Sequence, residues 1–298
     1  MAYAELTNRA TGDVVLEADH DQIRENFDAM SAGLVPGGRL TGISADPTAD
    51  SSSTANLYYT PHLHNGVKLY DGANWVFYNF SEITLALTGL ANGYNYDVFL
   101  YNNSGTLTLE TTQWSSATAR ATALVRQDGV WVRSGATTRL YLGTIRTSAL
   151  GQTIDSNAFR FIWNMYNRVA KEAYIYDDTN SWSYSTDSWR SWNNNSANSI
   201  GMVRGLDEDV LDVTFLAHAE DNYPAVGLNI DSAGGDGMKA HTTNTQLTPL
   251  TVRYCDKPGL GYHALFLSER AIGAAATTFY GDGGSSSILS AARGYAIC

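Results

Sequence analysis

The chain of 298 residues is long enough to bury the cores of two domains of ordinary size. Its formal net charge is -11, with only 19 Lys and Arg residues, so it lacks the concentrated basic surface that binding to nucleic acid requires. Charged residues make up 16% of the chain, and polarity comes instead from Ser, Thr, Asn and Gly, a balance typical of β-rich extracellular or virion proteins.

Neither a membrane span nor a secretory signal is expected from this sequence. No apolar run approaches the roughly 20 residues that cross a bilayer, and residues 1–15 lack the basic and apolar regions of a signal. We therefore expect synthesis in the cytoplasm and no membrane insertion. The two cysteines, Cys255 and Cys298, are too few for a disulfide framework, which favours free thiols over a single late bridge.

Residues 1–39 are predicted to form an N-terminal arm with one short helix. The segment 17–30 carries the helical signal, and Asp19 can cap the N-terminus of the helix because Gln22 follows three residues later. The apolar residues of this helix form a narrow stripe on one face, and the stripe needs a partner surface, since short helices rarely persist alone in water. Two partners remain open, namely the chain's own β domain and other chains of an assembly. The stripe consists of apolar residues at helical spacing: Ile23, Phe27 and Met30.

Residues 40–147 are predicted to form an antiparallel β-sandwich domain. Short alternating runs are separated by turn residues at 71–72, 102–105 and 128–129. The polar stretch 48–56 is predicted to be a loop. The predicted strands are NLYYT, VKLY, NWVFY, ITLAL, YDVFLY, TLTLET, TALVR, VWVRS and RLYLGTI.

The stretch VKLYDGANWVFYNF, residues 67–80, is the clearest hairpin of this domain. Alternation gives it apolar or aromatic side chains on both faces, which predicts burial inside a sandwich or against a neighbouring chain. One face is expected to carry Val67, Leu69, Trp75 and Phe77, and the other Tyr70, Val76 and Tyr78.

Residues 148–298 are predicted to form a second β-sandwich domain. The aromatic-rich segment 155–176 is interpreted as a strand that enters this domain, although a helix fits part of it. No period of about 20 to 50 residues repeats, which argues against a propeller or solenoid. The predicted fold class is therefore mainly β, with an N-terminal arm and short helix followed by two antiparallel β-sandwich or jelly-roll-like domains. Further short alternating runs lie in TDSWRSWNNNSANSIGMVRGL, DVLDVTFLAHAE, YPAVGLNIDS, LTPLTVRYC and YHALFLSERA.

The stretch SWSYSTDSWRSWNNN combines flat aromatic rings with short polar groups, a mixture that suits sugar rings. The alternative is that its tryptophans anchor the core. The candidate glycan-binding residues are Trp182, Trp189, Arg190 and Trp192.

Metal, nucleotide and catalytic sites are not predicted. His62 and His64 would face one side of a strand, but no third ligand lies near them in sequence, so neither a metal nor another cofactor is expected. The glycine-rich stretch 281–287 lacks the Lys-Ser/Thr pair of a phosphate loop. The acidic clusters at 207–209 and 220–221 are more typical of solvated loops than of the paired carboxylates of a glycosidase, so the chain is not expected to be an enzyme.

Four stretches within residues 57 to about 190 resemble a module of tail-fibre and other virion proteins of tailed bacteriophages and prophages. The N-terminal stretch GDVVLEADHDQIRENFDAM also resembles the start of many phage fibre proteins, in which an arm and helix precede a β-rich shaft or head. Residues 190–298 carry no motif of this family. The four stretches are LYYTPHLHNGVKLYDGANWVFYNFSEITLALTGL, NYDVFLYNNSGTLTLE, RATALVRQDGVWVRSGATTRLYLGTIRT and FIWNMYNRV.

The resemblance implies a homotrimeric structural protein located in the virion. Its N-terminal stripe would attach to other virion proteins of the tail or capsid. The resemblance does not decide whether the second β domain binds a host receptor or only decorates the particle, and glycan binding by that domain is expected from its aromatic stretch alone. In a trimer the second face of the 67–80 hairpin would be covered by a sister chain. The leading hypothesis is therefore a tail fibre or spike. The alternatives are a head-fibre or capsid decoration protein and, third, a glycan-degrading enzyme.

Overall fold

The computed structural model describes His20, Asp21, Ile23 and residues 35–234, 237–281 and 289–298. Within these ranges the regular secondary structure is almost wholly β-strand, and the strands pair mostly antiparallel, so the predicted mainly β fold class is confirmed. His20, Asp21 and Ile23 are helical, whereas Phe27 and Met30 lie outside the described residues. No helix in the described ranges has the length and apolar character needed to span a membrane.

The first half of the chain contains the strands β1 (Gly38–Thr41), β2 (Ser51–Thr54), β3 (Asn56–Pro61), β4 (Gly66–Tyr70), β5 (Trp75–Asn79), β6 (Ile83–Ala86), β7 (Asn95–Asn103), β8 (Thr106–Gln113), β9 (Leu124–Gln127), β10 (Val130–Arg133), β11 (Ala136–Ala149), β12 (Gln152–Ser156), β13 (Phe159–Arg160) and β14 (Ile162–Asn164). One layer is the sheet β1-β3-β6 with the β4–β5 hairpin beside it. The facing layer is centred on β11, which pairs with β7, β10, β12 and β14.

An apolar core fills the space between these two layers. Leu40 and Leu57 come from the three-stranded sheet and Val67 from the hairpin, and they meet Val98 and Leu142 of the facing layer. All five side chains are buried. The alternating residues that predicted the strands are therefore the residues whose side chains point inward.

The hairpin β4–β5 forms where it was predicted, but its faces are composed differently. The side chain of Asp71 accepts hydrogen bonds from the backbone N–H groups of Ala73 and Asn74, at 2.8 and 2.7 Å, and this turn sets the register of the two strands. Alternation fixes the two faces of each strand, whereas the turn decides which faces match across the pair. The inner face carries Val67, Leu69, Val76 and Tyr78, and the outer face carries Lys68, Tyr70, Trp75 and Phe77.

Residues 48–56 were predicted to be a loop, and Ser51–Thr54 is instead the strand β2. It pairs antiparallel with β12, with Thr54 opposite Thr153 and Ser51 opposite Asp155. Its Ser and Thr side chains give no apolar alternation, so the strand is stabilised by main-chain pairing with a neighbour that is remote in sequence.

The second half contains β15 (Ala170–Tyr176), β16 (Ser181–Tyr184), β17 (Arg190–Ser191), β18 (Ser199–Arg204), β19 (Leu211–Glu220), β20 (Pro224–Ile230), β21 (Met238–His241), β22 (Thr248–Asp256), β23 (Gly261–Ala271), β24 (Thr277–Tyr280) and β25 (Ala291–Ile297). One sheet has the order β15-β25-β19-β24-β16, and β22 also pairs with β19. The strands β21-β20-β23-β18 form the facing layer.

The core of the second half lies between these two layers. Val213 and Phe215 of β19 contact the same cluster as Val226 of β20 and Leu265 of β23, and all are fully buried. Trp192 belongs to this cluster and is also fully buried. In β19 the buried Val213 and Phe215 alternate with residues that are less buried, as expected of a strand with one face in the core of a sandwich.

Main-chain hydrogen bonding continues from the first half into the second. The strand β13 pairs with β18 in parallel, with Phe159 opposite Gly201, which departs from the antiparallel pairing elsewhere in the sheet. The two larger cores draw on residues 40–162 and 173–298. The domain boundary after residue 147 stays a prediction. Cys255 is exposed and Cys298 is buried, and both are free thiols.

Candidate functional site

Trp192, one of the four predicted glycan-binding residues, lies in the core of the second half. Its side chain is fully buried. Its ring packs edge-on against the rings of Trp182, Phe215 and Phe279, at centroid distances of 4.9, 5.0 and 5.5 Å. A ring without exposed surface cannot stack on a sugar, so the prediction is corrected here: Trp192 is a core residue.

Trp182 and Arg190 are both bound to one buried carboxylate, that of Glu269. The indole N–H of Trp182 donates to Oε2 at 2.7 Å, and Nε of Arg190 donates to Oε1 at 2.6 Å. The Arg190 guanidinium also lies 3.7 Å from the ring centroid of Tyr184. The indole N–H of Trp182 and Nε of Arg190 therefore serve an internal contact.

Trp189 keeps a half-buried ring at the surface. The ammonium group of Lys239 lies 5.3 Å from the ring centroid, in a cation–π contact. Of the four predicted residues, Trp189 alone combines partial exposure with no role in the Glu269 contacts described above. The structure thus does not bring the four residues together as an exposed platform.

The carboxyl group of Glu269 makes stability depend on pH. Burial raises its pKa to about 7 from an ordinary value of 4.5, although Arg190 and Trp182 act in the opposite direction. Because the folded-state pKa lies above the unfolded-state value, this group stabilises the fold at acid pH, and the contribution is lost as pH rises through 7. A shift of this size corresponds to about 3 kcal/mol.

Glu269→Gln stays neutral and should remove this pH dependence. We expect the free energy of unfolding of the wild type, minus that of the variant, to fall by about 2 to 3 kcal/mol between about pH 5 and pH 8. Urea unfolding of both proteins across this range measures the difference. A difference that stays constant with pH would show that Glu269 is ionised throughout.

A surface cleft of about 440 Å³ offers a better candidate site. Its walls come from the segment before β2, from the turn between β12 and β13, and from β15, which is the edge strand of its sheet. We call it the tyrosine cleft. Its lining residues are Asp50, Ser156, Asn157, Ala158, Tyr174, Ile175 and Tyr176.

Tyr174 and Tyr176 form the aromatic wall of the tyrosine cleft. They stand two residues apart on an extended strand, so their side chains project from the same face. Their ring centroids are 5.6 Å apart and their planes are tilted by 34°. Tyr176 is 43% exposed, whereas Ala173 and Ile175 pack on the core. Tyrosine presents an apolar ring and a polar tip, which together suit the face and the hydroxyls of a sugar.

Asp50 contributes a carboxylate to the cleft, and two cationic side chains donate hydrogen bonds to it. Arg160 donates to both of its oxygens, at 2.6 and 3.1 Å, and Nζ of Lys171 donates to Oδ1 at 3.2 Å. Burial raises the pKa of Asp50, but hydrogen bonds and charges of Arg160 and Lys171 outweigh it and leave the pKa below its ordinary value. Asp50 is therefore ionised at neutral pH and can accept hydrogen bonds from hydroxyl groups.

Asn157 is fixed by the same arginine. Its Oδ1 accepts a hydrogen bond from Arg160 at 3.0 Å, and its Nδ2 donates to Oε2 of Glu172 at 3.2 Å. Arg160 is almost fully buried and so orients two polar groups of the cleft at once. A fixed carboxylate and amide facing two aromatic rings are the components of a small-molecule site of mixed polarity.

The sequence analysis interpreted residues 155–176 as one strand and did not identify the tyrosines there as a site, whereas the structure has the end of β12 followed by β13, β14 and β15 in this segment. The available signal was the pattern Ala-Tyr-Ile-Tyr at 173–176, in which two tyrosines alternate with residues that pack on the core. Asp50 lay in the stretch predicted to be a loop. Nothing local in the sequence indicates that Asp50 and Tyr176 line one cleft.

The other residues considered from the sequence do not form a site within the described ranges. No group of three or more His, Cys, Asp or Glu residues there could hold a metal ion. Nδ1 of His64 accepts a hydrogen bond from the backbone N–H of Gly66 at 3.1 Å. Asp209 accepts hydrogen bonds from Trp163 and Arg168, so part of the 207–209 cluster serves the fold.

Ile23 of the predicted attachment stripe is 37% exposed. Since Phe27 and Met30 lie outside the described residues, attachment through this stripe stays a prediction.

No protein-family model and no curated protein sequence matches the chain. The insecticidal delta-endotoxin Cry8Ea1 from Bacillus thuringiensis aligns with the chain at TM-score 0.25 and 6% identity, over 88% of this chain and 51% of that chain. A carbohydrate-binding module of the β-sandwich superfamily aligns at TM-score 0.16 and 11% identity, over 84% of this chain and 97% of that one.

An exo-β-1,3-galactanase from Phanerochaete chrysosporium aligns at TM-score 0.17 and 9% identity, over 82% of this chain and 68% of that one. The chain spans about half the length of the toxin chain it matches. Likenesses at these TM-scores carry no conclusion about what the chain does.

Proposed function

We propose that the chain binds host-surface glycans through the tyrosine cleft and belongs to the virion appendage of a tailed bacteriophage. The arrangement of Tyr174 and Tyr176 opposite Asp50 and Asn157 is the observation that carries the glycan-binding part. Aromatic rings cover the apolar face of a sugar, while the carboxylate accepts and the amide donates hydrogen bonds with its hydroxyls.

The virion part of the proposal is supported by the resemblance of residues 57 to about 190 to phage fibre modules. A tail fibre or spike is the leading form, and a head-fibre or capsid decoration protein is the alternative. Imaging of gold-labelled protein on the particle separates the two. The same resemblance supports a homotrimer, and the mass of the purified protein by light scattering tests it.

Weak single sites are compatible with firm attachment in such an assembly. One cleft of this kind would bind a sugar with a Kd of ~1 mM, or about -4 kcal/mol. Three copies on a trimer, and several trimers on a particle, raise the effective concentration and so strengthen attachment by orders of magnitude.

Binding without hydrolysis fits the cleft better than glycosidase activity. Glycoside hydrolysis generally needs two carboxyl groups on either side of the scissile bond. Among the residues that line the cleft, Asp50 supplies one carboxyl group, and Arg160 and Lys171 already bind it. A purified protein that shortened a host polysaccharide would contradict this part of the proposal.

Tyr176→Ala tests the cleft directly. Loss of the exposed ring should raise the Kd for the best ligand on a glycan array by about tenfold, which corresponds to about 1.4 kcal/mol of binding free energy. Tyr94→Ala is a matched control, because Tyr94 is 42% exposed and lies outside the cleft. The melting temperatures of both variants are recorded beside the array.

Equal binding by the wild type and Tyr176→Ala, with both folded, would remove the cleft from the proposal. Equal losses in Tyr176→Ala and Tyr94→Ala would show an indirect effect. A wild-type protein that binds no glycan on the array would overturn the glycan-binding proposal itself.

A further inference from the structure

We propose that the ligand of the tyrosine cleft is an extended oligosaccharide rather than a single sugar, with Tyr295 as a second stacking surface. This inference rests on the proposed function of the cleft. It comes from the strand β25, which pairs with β15 and continues the outer face of the same sheet beyond the cleft.

The register of β15 and β25 places Tyr295 on the same face as the cleft tyrosines. Tyr174 lies opposite Arg293, and Glu172 lies opposite Tyr295. Directly opposite residues of an antiparallel pair share a face, so all four side chains point outward. Ala292 and Ala296, which alternate with them on β25, are fully buried in the core. Tyr295 is 61% exposed.

The three tyrosines follow one another across the sheet, and we call them the tyrosine row: Tyr176, Tyr174 and Tyr295. Tyr174 and Tyr295 are diagonal neighbours on adjacent strands, which places their Cα atoms about 7 to 8 Å apart. Tyr176 and Tyr295 are four strand positions and one strand spacing apart, or about 14 Å. One sugar ring stacked on Tyr176 cannot reach Tyr295, whereas a chain of several sugars can.

Polar side chains flank two rings of the tyrosine row, because Arg293 lies opposite Tyr174 and Glu172 lies opposite Tyr295. The Arg293 side chain is 74% exposed, and its guanidinium carbon lies 5.7 Å from the ring centroid of Tyr174. Its Nε donates to Oε1 of Glu172 at 2.7 Å, which fixes the guanidinium and leaves the terminal nitrogens to donate to sugar hydroxyls. Alternating apolar rings and hydrogen-bonding groups match the alternating faces and hydroxyls of an oligosaccharide.

The test is the dependence of binding on ligand length. The probes are glucan, galactan and mannan oligosaccharides of one to six residues, titrated into the full-length wild type and into Tyr295→Ala. We expect wild-type affinity to rise with length, and Tyr295→Ala to lose about tenfold for the longest probes but less than about twofold for the shortest. Tyr223→Ala is the matched control, since Tyr223 is 46% exposed and lies outside the row. Tyr295→Trp, which keeps a flat ring, should retain binding.

Other outcomes overturn the inference in distinguishable ways. If affinity does not depend on length and Tyr295→Ala binds all probes like the wild type, the extended site is wrong while the cleft proposal stands. If the wild type binds none of the probes, both proposals fail for these sugars. If Tyr295→Ala lowers the light-scattering mass and leaves binding unchanged, the face is an interface between copies of the chain. If Tyr295→Ala does not fold, Tyr295→Trp still tests whether a flat ring at this position supports binding.

Discussion

Replacing Arg160 with methionine is expected to lower the free energy of unfolding by about 3 to 5 kcal/mol. The Arg160 side chain is 1% exposed and donates to Asp50, to Asp155 and to the backbone carbonyl of Glu172. Without it, Asp50 and the buried Asp155 are left with the hydrogen bonds that both accept from Lys171. The cost arises because an uncompensated carboxylate is left in a poorly hydrated site.

Arg253→Met is the matched control for this change. Arg253 binds Asp212 through two hydrogen bonds of 2.7 and 2.6 Å, but the two side chains are 61% and 43% exposed. An exposed ion pair of this kind contributes less than about 1 kcal/mol. Urea unfolding measures both variants. Equal losses would contradict the structural role of Arg160, as would a folded Arg160→Met protein with unchanged stability.

The Arg160 variant also bears on the tyrosine cleft. Arg160 fixes both Asp50 and Asn157, so a folded Arg160→Met protein should bind glycans more weakly even though Arg160 is not among the residues that line the cleft. Reduced binding with both tyrosines intact would show that the polar wall is needed as well as the aromatic one.

Trp192→Ala is expected to cost about 3 to 5 kcal/mol of unfolding free energy, because it opens a cavity among Trp182, Phe215 and Phe279. The indole nitrogen of Trp192 has no hydrogen-bond partner among the described residues, so packing of the ring holds it in place. Trp192→Phe keeps an aromatic ring and should lose much less. Thermal and urea unfolding are the measurements.

From the sequence, Trp192 was a candidate sugar-binding residue with a core role as the alternative, and the two assignments predict opposite results. A core residue loses stability on substitution, and any loss of glycan binding follows from unfolding. Unchanged melting of Trp192→Ala together with lost glycan binding would restore the surface assignment. Trp189→Ala, by contrast, should change stability by less than about 1 kcal/mol, since half-exposed side chains form few buried contacts.

The sequence by itself determined the mainly β fold class and the position of most strands. Alternation of apolar residues and the turn residues at 71–72, 102–105 and 128–129 are local properties, and they predicted the strands β3–β11 and β19, β20, β22 and β23. Local chemistry was sufficient there because turns such as the one held by Asp71 depend on neighbouring residues only.

Only the tertiary structure decided which faces and which distant residues meet. The register of β4 and β5 decided which residues share each face of the hairpin. The strand β2 has no apolar signal of its own and forms by pairing with β12. Trp192 lies inside because its ring packs against Phe215 and Phe279. The tyrosine cleft forms because Arg160 binds Asp50 near the edge strand that carries Tyr176. Alternation of apolar residues indicates that successive side chains lie on opposite faces of a strand, but contacts between remote segments decide which face is buried.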